Sequence, residues 1–134
     1  MEFAGSVVRI SDGDTLELAP VDPPGPTEKV RLLGIDAPAK GQPLYKEAGD
    51  ALGAMTRSGP IRVEFERAGH GQRDEYNRLL AYVFAGDKNL NLELVRQGWA
   101  VYSRKHGGER LAAELRAAED EARTARRGVW KNQK

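Results

Sequence analysis

Ile61-Arg62-Val63-Glu64-Phe65-Glu66 places an apolar side chain at every second position and a charged one between. Successive side chains of an extended strand point to opposite faces. The stretch therefore buries Ile61, Val63 and Phe65 and leaves Arg62, Glu64 and Glu66 toward water. It is the clearest half-buried strand in the chain, and its neighbours are read against it. Upstream, Leu44, Ala48, Ala51, Leu52 and Met55 recur at helical spacing, weakened by Gly49 and Gly53 and stopped by Ser58-Gly59-Pro60. Downstream, residues 68–73 read as a polar loop and residues 79–84 as a further strand closed by Gly86-Asp87.

Toward the N-terminus, residues 6–10 form a β-branched run. Asp12-Gly13 signals a hairpin turn, since glycine takes positive φ at little cost, and residues 15–18 return as a second strand. Pro20, Pro23, Pro24 and Pro26 are four of the chain's seven prolines. No central strand holds so many missing N–H donors, so residues 20–26 are expected as an exposed loop. Residues 29–35, mostly apolar, predict a third strand. Asn89 is positioned to cap a helix running through Gln97, with Gly98 as its stop. Gly107-Gly108 is expected to open a last helix, with Leu111, Leu115, Ala118, Ala122 and Ala125 as its apolar stripe and Gly128 at its end. The order β-β-β-α-β-β-α-α predicts an α+β protein with a mainly β core. It fits a five-stranded OB-type barrel with three flanking helices, as one domain over residues 1–134.

Composition narrows the chemistry. The chain has no cysteine, which excludes disulfides, thiolate nucleophiles and thiolate metal sites. Its two histidines, His70 and His106, lie far apart without zinc-ligand spacing and are expected at the surface. No apolar run approaches the roughly 20 residues of a membrane helix. No secretory signal is visible at the N-terminus, although a mature secreted chain would look the same. A net charge of +1 is not the footprint of a strongly basic nucleic-acid binder, but 21 Lys and Arg residues leave room for a local basic patch. Arg123, Arg126, Arg127, Lys131 and Lys134 make a positive end that reads as a solvated helix face.

The acidic residues concentrate at predicted strand ends. Asp12 and Asp14 flank the hairpin turn, and Asp36 ends the third strand. Neighbouring strands would bring Asp14 and Asp36 together, and two close carboxylates repel unless a cation lies between them. Oxygen donors without His or Cys select Ca²⁺ or Mg²⁺, and few protein ligands leave coordination positions for a phosphate oxygen. Arg31 lies in an apolar strand, where a guanidinium needs anionic partners. Arg78 opens the apolar run Leu79-Leu80-Ala81-Tyr82. Two planar donor forks and a divalent cation could stabilise the charge of a five-coordinate phosphorus. The alternative is structural: Asp12 as a turn residue, and Arg31 paired with Asp36 or Asp14.

Asp12-Gly13-Asp14-Thr15, Arg31-Leu32-Leu33-Gly34-Ile35-Asp36-Ala37-Pro38, Asp74-Glu75-Tyr76-Asn77-Arg78 and Leu94-Val95-Arg96-Gln97-Gly98 occur in this order. With them the chain resembles the staphylococcal (micrococcal) nuclease, or thermonuclease, family from about residue 7 to residue 130. The resemblance implies a monomeric Ca²⁺-dependent nuclease of single-stranded DNA and RNA, in a secreted or periplasmic setting, with no membrane role. It implies Asp14, Asp36 and the backbone carbonyl of Ala37 as metal ligands, with Asp12 acting through water. It also implies Arg31 and Arg78 as phosphate ligands, with Tyr76 and Tyr102 near the nucleotide. The family pattern carries glutamate as the base where this chain has Ala39. Glu47 is the next carboxylate downstream but belongs to the predicted helix. The resemblance therefore implies impaired hydrolysis or, as the rival reading, a catalytically silent nucleic-acid-binding barrel. Asn77 stands where the family commonly has glycine, a change that asparagine's tolerance of left-handed backbone makes mild.

Overall fold

The computed structural model describes residues 2–105 and 107–131. The alternating stretch that organised the sequence forms β5 (Ile61–Glu64), with Ile61 and Val63 buried. It lies between β1 (Phe3–Asp12) and β7 (Leu79–Ala85), antiparallel to both. β1 pairs in turn with β2 (Thr15–Asp22), and β2 with β3 (Glu28–Leu32). β3 then runs parallel to β7, Arg31 opposite Leu80, and this contact closes five strands into a barrel. Leu16, Leu18, Val30, Leu32, Val63, Ala81 and Val83 are fully buried inside it. Short strands β6 (Gln72–Arg73) and β8 (Lys88–Asn89) extend the sheet along β7.

Three helices flank the barrel: α1 (Tyr45–Met55), α2 (Leu90–Arg96) and α3 (Ala112–Ala125). Asn89 caps α2 as expected, its side-chain oxygen accepting the N–H of Leu92 at 3.2 Å. The α3 boundaries differ from expectation. A short 3-10 turn over Glu109–Leu111 separates Gly108 from the helix, and Arg126, at φ 55°, ends it in place of Gly128. Gly128 is glycine for another reason. A Cβ there would strike the carbonyl of Gly98, because Val129 donates to that carbonyl at 2.8 Å. The expected return of Val129-Trp130 onto the body follows from this glycine-on-glycine contact.

Three further expectations are corrected. Pro20 lies within β2, since β3 pairs only with Thr15–Leu18 and the edge beyond tolerates a missing donor. The predicted strand over residues 29–35 breaks at Gly34, whose φ is +80°. Ile35–Asp36 then forms a separate strand, β4, paired with β9 (Val101–Tyr102). Gly13 does not need positive φ. Its hydrogen is required because a Cβ would come within 2.7 Å of the Ala48 Cβ and 2.8 Å of the Ala37 Cβ. His70 is exposed, and His106 lies outside the described residues. No helix among the described residues is long and apolar enough to cross a membrane.

Candidate metal and phosphate site

The register of the barrel builds the site. Thr15 opposes Arg31 across β2 and β3, which puts the Asp12–Thr15 turn beside the Arg31 side chain. Asp12 Oδ1 accepts the Asp14 N–H at 3.0 Å, an Asx turn that sets the direction of Asp14. The Asp14 carboxylate then receives the Thr15 hydroxyl at 3.0 Å and the Ala37 N–H at 2.7 Å. The first loop is thereby tied to the chain just after β4.

Arg31 is only 3% exposed. Its Nη1 donates to the carbonyls of Leu32 at 2.7 Å and Ile35 at 2.8 Å. Its Nη2 lies 3.4 Å from Asp14 Oδ2 and 3.0 Å from Asp36 Oδ1. The break at Gly34 is what allows this, because it folds the backbone around the guanidinium. Such a break frees polar backbone groups, and Asn91 takes one of them. Its amide donates to the Leu33 carbonyl at 2.8 Å while its oxygen accepts the Val83 N–H at 3.0 Å.

Arg78 enters from the parallel neighbour. Asp74 Oδ2 accepts its Nε at 2.6 Å, and its Nη1 reaches the Thr15 hydroxyl at 3.5 Å. A single chain of contacts therefore runs Asp74–Arg78–Thr15–Asp14–Arg31–Asp36. Burial raises the Asp74 carboxyl, but the Arg78 N–H and guanidinium and the Tyr76 N–H outweigh it and leave the group below the usual carboxylate range. Asp12 moves the other way. Burial and the adjoining Asp14 push it up to about 6.

Asp14, Arg31, Asp36, Ala37 and, through Thr15, Arg78 are thus brought together. Asp12 sits on the turn without closing a third-ligand position: among the described residues no three His, Asp or Glu side chains converge as a metal cluster. The donor set still fits a hard divalent cation. It offers one buried carboxylate and one half-exposed carboxylate, all oxygen, and so few protein donors leave coordination positions for water and phosphate oxygens. Tyr76 is 72% exposed, with its ring 5.3 Å from the Arg78 guanidinium carbon. Tyr102 pairs with Ile35, next to Asp36. Ala39 is exposed, and its N–H is taken by Gln42 Oε1 at 2.7 Å. Glu47 is exposed in the first turn of α1. Asn77 adopts φ 63°, the left-handed backbone expected of it.

Sequence reasoning gave no role to Thr15, Asp74 or Asn91. Asp74 carried a signal: an acid four residues before a site arginine, within one turn segment. Asn91 carried none, since its partners come from residues far along the chain.

The family model described as "Staphylococcal nuclease homologue" matches residues 29–132. The thermonuclease of Staphylococcus intermedius is 30% identical over 130 residues, covering 92% of this chain and 74% of that protein. The micrococcal nuclease of Shigella flexneri is 33% identical over 138 residues, covering 96% and 74%. An uncharacterized endonuclease of Escherichia coli is 33% identical over 130 residues, covering 96% and 78%. Family model, relatives and barrel agree: the chain belongs to the staphylococcal nuclease homologue family.

Proposed function

We propose that this chain is a Ca²⁺-dependent phosphodiesterase of single-stranded DNA and RNA whose hydrolytic step is slowed by Ala39. One observation carries the reading: Asp14 and Asp36, from separate strand ends, converge on one centre that Arg31 and, through Thr15, Arg78 also reach. The nuclease relatives point to the same chemistry.

In this reading Asp14, Asp36 and the Ala37 carbonyl hold the cation, and Asp12 supports it through water. When bound, the cation supplies positive charge beside a non-bridging phosphate oxygen. Arg31 and Arg78 grip the phosphate, with donors placed where charge accumulates as phosphorus becomes five-coordinate. Thr15 and Asp74 hold these groups in register. Tyr76 offers an exposed ring to a base, and Tyr102, paired with Ile35 beside Asp36, is the second aromatic near the nucleotide. Water oxygen bonds to phosphorus in line as the bond to the 5′ oxygen breaks. The leaving oxygen gains a proton, and the attacking water must give its own to solvent, because a methyl group accepts none.

Ala39 also favours a second reading, a barrel that binds nucleic acid without turnover. Calcium-dependent cleavage of single-stranded DNA, compared between this chain and Ala39→Glu, separates the two. Cleavage raised by the substitution supports the enzyme. Salt-sensitive binding with no cleavage by either protein supports the silent module.

A further inference from the structure

A groove of about 730 Å³ opens beside the candidate site, between the 38–44 segment and the C-terminal 3-10 turn. That volume falls within the range of roughly 300–1,000 Å³ typical of ligand sites. Its walls include Pro38, Gln42, Leu44, Trp99, Val129 and Lys131. A smaller cleft of about 200 Å³ shares Pro38, Gln42 and Val129 with it and is lined as well by Asp36, Ala37 and Val101. Through these shared walls the groove reaches Asp36. Among the described residues no Asp or Glu lines it, and Lys131 is its one charged wall residue.

The far wall is fixed in place. Gly98, at φ +82°, and Gly128 lie backbone against backbone, and a Cβ on either would strike the other segment. The Trp99 N–H donates to the Leu94 carbonyl at 2.9 Å, holding its backbone to the end of α2. Trp99 is half-buried, so its indole is supported by the core cluster while still lining the groove.

We propose that this groove is a second base subsite. It receives an unstacked base of the strand as it leaves the candidate site on the Asp36 side, stacked against Trp99, with Lys131 toward its phosphate. The inference rests on the nuclease reading above. Three features favour nucleic acid over other occupants. The groove borders Asp36 of the candidate site, its only charge among the described residues is positive, and an aromatic face accepts any base. Tyr76 lies with Arg78, whereas Trp99 lies beyond Pro38 on the Asp36 side, so the two rings would flank the reacting phosphate.

Trp130→Phe leaves Trp99 as the only indole, and it removes a buried Nε1 that has no hydrogen-bond partner among the described residues. The probes are thymidine 3′,5′-bisphosphate and an oligothymidylate of about eight nucleotides, each with Ca²⁺. The expected result is quenching of Trp99 by the oligomer and not by the bisphosphate. Trp99→Leu, which keeps an apolar side chain on the wall, should weaken oligomer binding by about 5- to 100-fold and leave bisphosphate binding unchanged. If the bisphosphate binds but the oligomer neither quenches Trp99 nor loses affinity in Trp99→Leu, the subsite is overturned and the nuclease reading stands. If neither probe binds, both fall.

Discussion

Asp74 holds Arg78 from two directions. Its Oδ2 accepts the Arg78 Nε at 2.6 Å, while its Oδ1 accepts the backbone N–H groups of Tyr76 and Arg78, each at 2.9 Å. The loop that presents Tyr76 is thus wound around one carboxylate, and the guanidinium is left facing Thr15. In the proposed reading Asp74 is a positioning residue that aims Arg78 at the phosphate. Asp74→Ala leaves backbone donors unpaired and should cost about 1–3 kcal/mol of stability in urea unfolding. It should also weaken binding of thymidine 3′,5′-bisphosphate. Unchanged affinity in a folded Asp74→Ala protein would remove Asp74 from the site.

The same contacts set a pH dependence. The Asp74 carboxyl lies below its ordinary range in the folded protein. A depressed carboxylate contributes stability that is present above its unfolded value, about 3.9, and is lost as pH falls through the lower folded value. The native chain should therefore lose stability to Asp74→Asn at neutral pH and show a shrinking difference as pH drops below about 4. Denaturant midpoints for both proteins across that range check it. A difference that stays constant with pH would mean that Asp74 contributes through shape alone.

Arg31 gives a prediction in which metal and protein compete for the same carboxylates. Both Asp14 and Asp36 rest against its Nη2, and Asp14 is buried. Arg31→Met keeps much of the apolar stem but leaves Asp14 unpaired. Breaking a buried pair in this way typically costs about 3–5 kcal/mol. Asp36 is half exposed, so solvent reduces its share and the lower end is expected. Ca²⁺ at about 100 times its Kd should stabilise the native chain by about 2.7 kcal/mol. A chelator should remove that gain, and Asp14→Asn and Asp36→Asn should reduce it. A calcium shift undiminished in both variants would place the cation elsewhere.

The sequence and structure diverge where tertiary contact overrides local pattern. Alternation at Ile61 and Val63 reads directly as a strand because only burial of one face is needed, although the strand stops at Glu64 and leaves Phe65 half-buried beyond its end. The break after Leu32 was hidden, because Leu33-Gly34-Ile35 is as apolar as the strand before it. What turns the chain there is the buried Arg31 side chain reaching the Ile35 carbonyl, and the Asn91 amide reaching Leu33. The acids and arginines of the candidate site were legible as residue types at strand ends. Their connection through Thr15 was not, since it depends on β3 lying parallel to β7, a pairing between residues about fifty positions apart. The Gly13 case is similar: a turn was readable, but the crowding by Ala37 and Ala48 belongs to the packed molecule.

Gly13 connects that crowding to the site. Ala37, one of its two close neighbours, donates its N–H to Asp14. Gly13→Ala should force the turn away from α1 and lengthen that hydrogen bond. Overpacking of this kind costs about 1–3 kcal/mol. The expected signature is a lower Tm together with weaker calcium binding, since both changes pass through Asp14. Ala48→Gly in the same chain makes room on the helix side and should recover calcium binding more fully than Tm, because glycine within α1 carries its own cost of about 1 kcal/mol. Loss of stability with calcium affinity untouched would uncouple the turn from the metal site.

In the proposed reading, turnover depends on Ala39. It is exposed, and its backbone is already held by Gln42 Oε1 at 2.7 Å, so a longer side chain there meets no packed wall. Ala39→Glu should change stability by no more than about 0.5 kcal/mol, as surface substitutions usually do. A carboxylate beside the site can accept the proton of the attacking water, a contribution of about 10²–10⁴-fold in rate. The gain should appear in kcat, with little change in KM, because the base acts on water and leaves the phosphate ligands as they were. Ala39→Gln is the control: it has the same reach and no basic oxygen, so its rate should stay near that of the native chain. Initial rates on single-stranded DNA, with Ca²⁺ and with chelator, test all three proteins. Equal rates for Ala39→Glu and Ala39→Gln would show that position 39 does not handle the proton, and the barrel would then be read as a binding module.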